Sequence, residues 1–193
     1  MNSTITLHPQ ACDLMFQNYR VLSRIFRDVL GQLEINYISI ALLSSQNELL
    51  FLSSRPSIEH NLIEKQLWQF DKCFRMEFFI QNTSQPWEAL YCDEYRETLR
   101  HFKQKVPKLS MGVAMPSLFE EYRVVYSFAT QSADAKIQNK LMDQANILQK
   151  LGQFCLQRIV KSIQLPNRPN FLSERKPVLT LVINNEVQYA KNT

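Results

Sequence analysis

The residues of this chain that could do chemistry are scattered rather than grouped. The three histidines, His8, His60 and His101, stand alone in polar or mixed settings, so we interpret them as surface residues. There is no GxGxxG, P-loop, GxSxG or HExxH motif, and the three glycines are too few for loops that cradle phosphate. The four cysteines show no metal-ligand or disulfide spacing. We therefore predict a binding protein without a catalytic centre, metal or cofactor.

Asp71 and Trp87 allow two interpretations, one functional and one structural. A carboxylate in an apolar setting is costly unless a donor meets it, so Asp71 would need a ligand, an arginine or a backbone N–H as partner. Alternatively, Asp71 caps a local turn and Trp87 belongs to the core. The residues alone leave both interpretations open.

Composition indicates one substantial globular domain. The chain has 193 residues, 45% of them hydrophobic, which is enough to fill a sizeable core. Its net charge of +4 comes from 22 basic and 18 acidic residues spread without a long block of one sign, which is too weak to indicate nucleic-acid binding. The N-terminus lacks a signal-peptide pattern, and no run is long enough to cross a membrane. We expect a cytoplasmic, reduced protein that does not bind membranes.

The hydrophobic pattern predicts helices and strands in a mixed order. Helical spacing covers residues 8–33, 57–70, 88–105 and 134–163, while strands at 35–43 and 48–53 form a hairpin. Residues 78–80 are either a short buried strand or irregular apolar packing. Ser57 is the expected cap of the second helix. This order predicts an α/β fold, an α/β/α sandwich with a central, mostly antiparallel sheet flanked by helices.

Two further strands are predicted within residues 107–132. Apolar side chains alternate with smaller or polar ones before and after Glu120 and Glu121, which supply the turn. Gly112 precedes the first strand and indicates either a close approach of another group to the backbone or an unusual backbone dihedral.

The runs SMGVAMP and YRVVYSFAT resemble adjacent strands of LuxR-type autoinducer-binding domains, and the resemblance covers residues 10–163. It implies an α/β/α sandwich that holds a ligand between the sheet and a helical layer and acts as a dimer. In this family an Asp accepts a hydrogen bond from the amide N–H of an acyl-homoserine lactone, and a later Trp packs beside the lactone ring. The segment DKCFRMEFFIQNTSQPW places Asp71 and Trp87 in those roles, with Tyr91 nearby.

The chain also departs from the family pattern. Lys72 follows Asp71 where the family has Pro, and the ligand-binding Trp and Tyr of the preceding helix correspond to Ile58 and Leu62, which cannot donate hydrogen bonds. Trp68 could supply an indole N–H from a different register, or it belongs to the core. Ser127 could line the pocket from the last strand, although a buried hydroxyl there often bonds to backbone. An acyl-homoserine lactone is therefore a doubtful ligand.

The C-terminal region suggests a second unit. We assign residues 1–165 to the sensor domain, 166–172 with two prolines to a linker, and 173–193 to the truncated or degenerate start of a helix-turn-helix or to a terminal hairpin. A helix-turn-helix reads DNA with its second helix, so we expect DNA binding only if a complete one follows.

Two functions remain open. The leading hypothesis is a signal-sensing regulatory domain that binds a small apolar molecule and acts through homodimerisation, helped by Leu148, Phe154 and Ile159 of the last helix. The alternative is a ligand-free protein-interaction module that has lost signal and DNA recognition. An internal cavity lined by Asp71, Trp87 and Tyr91 would favour the sensor, and a space filled by side chains would favour the module.

Overall fold

The computed structural model describes residues 4–166. The predicted helix-turn-helix start or hairpin at 173–193, and all of the predicted linker except Pro166, lie outside the described residues. The sensor domain predicted for residues 1–165 corresponds to nearly all of the part that is described.

A six-stranded sheet forms the middle of the described region. Its strands are β1 (Thr6–Leu7), β2 (Tyr37–Leu43), β3 (Glu48–Ser53), β4 (Gln85–Pro86), β5 (Met111–Phe119) and β6 (Tyr122–Thr130). Their order in the sheet is β1-β3-β2-β6-β5-β4. Only the short β1 pairs in parallel, with β3, and the other neighbours are antiparallel. This confirms the predicted mostly antiparallel sheet.

Helices pack on both faces of this sheet. They are α1 (Ala11–Gln17), α2 (Tyr19–Arg27), α3 (Pro56–Glu64), α4 (Met76–Phe79), α5 (Trp87–Leu90), α6 (Arg96–Arg100), α7 (Ala135–Asp143) and α8 (Ala145–Ser162).

Apolar side chains project from both faces of the sheet, because successive residues of a strand point in opposite directions. In β6, Val124, Tyr126 and Phe128 belong to the first core, which also contains side chains of α2 and α8. Val125 and Ala129 belong to a second core, under the helices between β3 and β5. The predicted α/β/α sandwich is thus confirmed.

The long predicted helices are interrupted. The helix expected at 8–33 divides at Asn18, whose backbone N–H and side-chain amide both donate to the carbonyl of Leu14. The helix expected at 134–163 divides at Gln144, between α7 and α8. The cap predicted at Ser57 is wrong: α3 is preceded by Arg55 and begins with Pro56, whose fixed φ suits a first turn.

Three of the helices covering the second core, α4, α5 and α6, are the shortest of the described region. Helix α3 ends at Glu64, and Gln66 adopts a left-handed φ of 55° before a 3₁₀ turn. Residues 78 and 79, predicted as strand or irregular packing, belong to the single turn of α4. The helix expected at 88–105 is broken after α5, because Tyr91 pairs with Asp71 in an isolated β-bridge and the Cys92 N–H donates to the carbonyl of Phe70. These breaks bring polar residues into the layer between helices and sheet.

Candidate functional site

Asp71 is fully buried in the layer between the sheet and helices α3 to α6. Its Oδ1 accepts a hydrogen bond from the backbone N–H of Cys73 at 3.1 Å, which caps the turn Lys72–Phe74. Its Oδ2 accepts from Nζ of Lys103 at 2.5 Å. The local cap left open by the sequence is therefore present, and the carboxylate also has a long-range partner, which the sequence did not predict.

Lys103 is the residue that organises the site. It is 2% exposed and lies in a π-helical turn, His101–Lys105, that continues α6. Its Nζ stands 4.2 Å from the ring centroid of Trp87 and 5.2 Å from that of Tyr91, so the ammonium contacts two aromatic rings as well as Asp71. We call Asp71, Lys103, Trp87 and Tyr91 the Asp71–Lys103 centre.

Trp87 is fixed by strand β4 and by Gly112. Strand β4 precedes it directly and pairs with Val113 and Ala114 of β5. A Cβ added to Gly112 would lie 2.1 Å from Cδ2 of the Trp87 indole, so only glycine allows the ring to pack here. The close approach predicted for Gly112 is thus confirmed. The ring of Tyr37 meets Trp87 edge to face, with 5.6 Å between centroids.

An ion pair between Arg100 and Glu88 connects α6 to α5 and helps to position Lys103 above the Trp87 ring. Arg100 donates from Nε and Nη2 to the two carboxylate oxygens of Glu88, at 3.0 and 2.6 Å. Hydrogen bonding by Arg100 is the main reason that the pKa of Glu88 lies below its ordinary value. The bidentate geometry fixes direction as well as distance, which orients the turn that carries Lys103.

The electrostatics of the centre keep Lys103 charged and Tyr91 neutral. Burial is the largest single effect and lowers the pKa of Lys103, but the charges of Asp71, Cys73 and Glu59 and the hydrogen bond with Asp71 together outweigh it, and the pKa lies above its ordinary value. Burial raises the pKa of Tyr91 well above 10, so its hydroxyl remains a donor. The centre therefore contains one internally neutralised ion pair and two neutral N–H or O–H donors.

A second buried carboxyl lies close to the centre. Glu59 on α3 is 2% exposed, and the Tyr37 hydroxyl donates to its Oε1. Burial raises the pKa of Glu59, and the neighbouring hydroxyls of Ser53, Tyr37 and Ser39 lower it in part. The charge of Glu59 makes a small contribution to the raised pKa of Lys103.

Three polar atoms of this region are buried without a hydrogen-bond partner among the described residues. They are Nε1 of Trp87, the hydroxyl of Tyr91 and Oε2 of Glu59. Such atoms are rare in folded proteins because each costs the desolvation of a polar group. Together they could bind a molecule that offers one or two acceptors and a donor.

The structure places the remaining predicted site residues in the same layer. Ile58, Leu62 and Trp68 are buried in the second core. Trp68 also lines a cavity of about 600 Å³ together with Phe74. Asp71, Trp87 and Tyr91 do not line this cavity, so it is not the one that would distinguish a sensor from an interaction module. Ser127 pairs with Ser39 across β6 and β2, and both are buried on the strand face that bears Tyr37.

Lys103 and Glu59 were missed by the sequence analysis, although each had a signal. Lys103 follows Leu99 by four residues, and Glu59 precedes Leu62 by three, so both fall on the apolar face of a predicted helix. A charged residue on such a face requires a buried partner. The other interpretation, in which each side chain bends to solvent, is usual for long charged residues.

Residues 4–166 contain neither a cluster of metal ligands nor a helix that could span a membrane. Within that range no group of three or more His, Cys, Asp or Glu side chains could hold a metal ion. No helix of the same range is long and apolar enough to cross a membrane. All four cysteines are free thiols.

Solved structures of bacterial regulators have a similar fold. Escherichia coli SdiA is 16% identical over 83% of this chain and 72% of its own, with a TM-score of 0.52. SdiA in complex with octanoyl-rac-glycerol is 18% identical over 82% of this chain and 68% of that one, with a TM-score of 0.53. CepR2 of Burkholderia cenocepacia, an N-acylhomoserine lactone dependent LuxR family transcription factor, is 12% identical over 78% of this chain and 99% of its own, with a TM-score of 0.53.

At these identities the comparisons show the fold alone. The resemblance to LuxR-type autoinducer-binding domains, drawn first from the strands at SMGVAMP and YRVVYSFAT, is confirmed at that level. No family model matches the chain, and no curated protein matches its sequence.

Proposed function

We propose that this chain is a signal-sensing regulatory domain, without catalytic activity, that binds a small and largely apolar molecule between the sheet and helices α3 to α6. The observation that carries the proposal is the pair of buried, unpartnered donors, Nε1 of Trp87 and the hydroxyl of Tyr91, beside the Asp71–Lys103 centre. Donors buried at a cost and grouped in an apolar layer are typical of a ligand site. The fold of SdiA and CepR2 supports the same assignment.

The ligand would be recognised differently from an acyl-homoserine lactone in the family pattern. Both oxygens of Asp71 already accept hydrogen bonds from the chain, and Ile58 and Leu62 offer apolar surface where the family has donors. Carbonyl oxygens of the ligand would accept from Trp87 and Tyr91. The octanoyl-rac-glycerol bound by SdiA combines an acyl chain with polar oxygens, which is the type of molecule that this site suits.

Regulation would proceed through a homodimer formed by α8. Of the three residues predicted to extend its apolar stripe, Leu148 and Ile159 are buried in the first core and only Phe154 is exposed. Ile147 is also exposed on this helix, so the two side chains supply an apolar surface. A ligand that stabilises the layer under α3 to α6 would favour the folded, dimer-competent state.

A ligand-free interaction module is the second candidate, and Lys103 favours it. Its ammonium takes the position beside Asp71 and Trp87 that the family pattern gives to a ligand, so the chain itself supplies a partner for the carboxylate. Such a domain would fold without a signal molecule and would act through its surface.

Thermal unfolding with and without N-octanoyl homoserine lactone or octanoylglycerol separates these candidates. A sensor of this class should gain stability with at least one compound, and the gain should shrink in Trp87→Phe and Tyr91→Phe, which lose one donor each. The control Tyr126→Phe should keep the gain, because it removes an unpartnered hydroxyl that lies in the first core. An interaction module should show no gain, and the two donor variants should be as stable as the wild type or more so, because each removes an unpartnered polar atom.

A further inference from the structure

We infer that Glu59, rather than Asp71, is the carboxyl group that accepts a hydrogen bond from the ligand, and that the ligand has a neutral head group with a hydroxyl or amide donor. This inference rests on the proposed function, because it names the residue that determines specificity within the same site.

Asp71 is the less suitable acceptor, because each of its oxygens already accepts a hydrogen bond from the chain. Its Oδ1 accepts from the N–H of Cys73 at 3.1 Å and its Oδ2 from Nζ of Lys103 at 2.5 Å. A ligand donor at Oδ2 would displace a buried ammonium that has no other anion in hydrogen-bond contact among the described residues. The loss of a buried charge pair costs more than one ligand hydrogen bond returns.

Glu59 has the free acceptor that Asp71 lacks. Its Oε1 accepts from the Tyr37 hydroxyl, whereas its Oε2 is buried and has no partner in the described part of the chain. Tyr37 also packs edge to face on Trp87, so one side chain contacts both Glu59 and the ring that carries the unpartnered indole N–H. Glu59 lies on α3, one of the helices that cover the layer containing the Asp71–Lys103 centre.

The charges of the site favour a neutral head group. Lys103 is already neutralised by Asp71, so an anionic ligand would meet Glu59 and Asp71 without a free cation to compensate. A cationic head group would face the ammonium of Lys103. A neutral group with a carbonyl for Trp87 or Tyr91 and a donor for Glu59 satisfies the three unpartnered atoms without burying another charge.

Two pairs of matched probes test the inference on the full chain. N-octanoyl homoserine lactone is compared with the lactone in which an ester oxygen replaces the amide N–H, and octanoylglycerol with its dimethyl ether. Each pair differs in the hydrogen-bond donor of the head group. We expect the wild type to bind the donor-bearing member of at least one pair about tenfold tighter or more, because its partner leaves Oε2 buried and unpaired.

Glu59→Gln should abolish or reverse this preference. The glutamine carbonyl can still accept from Tyr37, which puts an N–H₂ group where Oε2 was and opposes a second donor. Tyr37→Phe frees Oε1 as another acceptor and should preserve or increase the preference, so it tests the inference independently if Glu59→Gln does not fold. The control Asp71→Asn should leave the ratio of the two affinities unchanged, even where it weakens both.

The inference is overturned if donor and donor-free probes bind the wild type equally, or if the preference survives in Glu59→Gln and disappears in Asp71→Asn. In either case binding itself leaves the proposed function standing. Failure of all four probes to bind overturns the inferred ligand class, and solvent extraction of protein from its own cells then decides the proposed function separately.

Discussion

At the scale of single residues, the main feature is a buried lysine that pairs with a carboxylate and rests on an indole ring. The contact of Lys103 with Asp71 and Trp87 joins α6, the turn after α3, and α5 across the layer. A buried pair of this kind gives little net stability compared with apolar residues of the same size, but removal of one partner leaves an unpaired charge. Its value lies in fixing which groups face each other.

Lys103→Met should therefore destabilise the protein by about 3–5 kcal/mol, because it leaves Asp71 buried without its cation. The double variant Asp71→Asn/Lys103→Met should recover most of this loss, since Asn keeps the acceptor for the N–H of Cys73 and carries no charge. Urea unfolding measures the free energies.

Lys105→Met is the matched control: Lys105 is exposed and pairs with Glu97 at 3.3 Å, so its loss should cost about 1 kcal/mol or less. Equal losses in Lys103→Met and Lys105→Met would contradict the buried pair.

Glu59 makes stability depend on pH in a defined direction. Burial raises its pKa above the ordinary value of 4.5, so the folded protein holds this proton at pH values where the unfolded chain has released it. The contribution to stability is complete below pH 4.5 and is lost as the pH rises through the folded pKa. As the pH rises above 4.5, the unfolding free energy of the wild type should therefore fall relative to that of Glu59→Gln.

Denaturant unfolding across this pH range provides the measurement. The groups that face Glu59 are Tyr37, Ser39, Ser53 and, at longer range, Lys103, and the charge of Lys103 is retained in the same window because its pKa lies above 10.5. A difference that stays constant with pH would show that Glu59 titrates as in the unfolded chain.

At the scale of elements, the site depends on short segments that interrupt regular structure. Strand β4 has two residues, yet it anchors Trp87 against β5, and the π-helical turn after α6 turns Lys103 inward. A π-helical turn inserts a residue into the helical repeat and is frequent at functional sites. Regular helices of the predicted lengths would not place these side chains together.

Gly112→Ala should destabilise the protein by about 1–3 kcal/mol, because the added methyl group overlaps the Trp87 ring. It should also change the tryptophan fluorescence, since the indole must move. Gly31→Ala is the control: its φ is +89°, so alanine is strained there, but no atom lies within 4 Å of the added Cβ. The control should lose stability without a change in the emission spectrum. Unaltered fluorescence in Gly112→Ala would argue against the contact.

The sheet and its two layers could be predicted from the sequence, whereas the helix boundaries could not. Period-two alternation in residues 111–130 and the polar turn at Glu120 and Glu121 are local signals, and the strands form there. The breaks at Asn18, Gln66 and Tyr91 depend instead on side-chain amides, a left-handed residue and a tertiary β-bridge. Helical periodicity carries no information about such contacts.

The candidate site could be predicted only in part, and the reason is the same. Asp71 and Trp87 were identified through the family pattern, and Gly112 through the scarcity of glycine. Lys103 pairs with Asp71 over 32 positions of sequence, and Tyr37 with Glu59 over 22, so neither pairing has a local signature. Only the fold brings these residues together.

At the scale of the whole molecule, exposed apolar side chains indicate where a second copy would bind. Helix α8 presents Phe154 and Ile147 to solvent, while the rest of its stripe is covered by the first core. The guanidinium of Arg158 lies over the ring of Phe154, 5.5 Å from its centroid, and Phe154 is still 41% exposed. An exposed aromatic group on a long helix is a suitable centre for a dimer interface.

Phe154→Glu should convert a wild-type dimer largely to monomer, because two like charges would be buried at a symmetric interface. Sedimentation velocity measures the change. Leu118→Glu, at an exposed position on β5, is the control and should leave the dimer intact. A monomeric wild type, or equal effects of both variants, would contradict dimerisation through α8.

The most direct test of the central claim is native mass spectrometry of the full protein purified from its own cells, followed by solvent extraction and identification of any bound molecule. We predict a stoichiometric neutral small molecule with an acyl or other apolar chain and a polar head group, whose retention is reduced in Trp87→Phe and Tyr91→Phe but not in Tyr126→Phe. Protein that is empty, stable and equally unaffected by all three substitutions would contradict the sensor and establish a domain that Lys103 completes without a ligand.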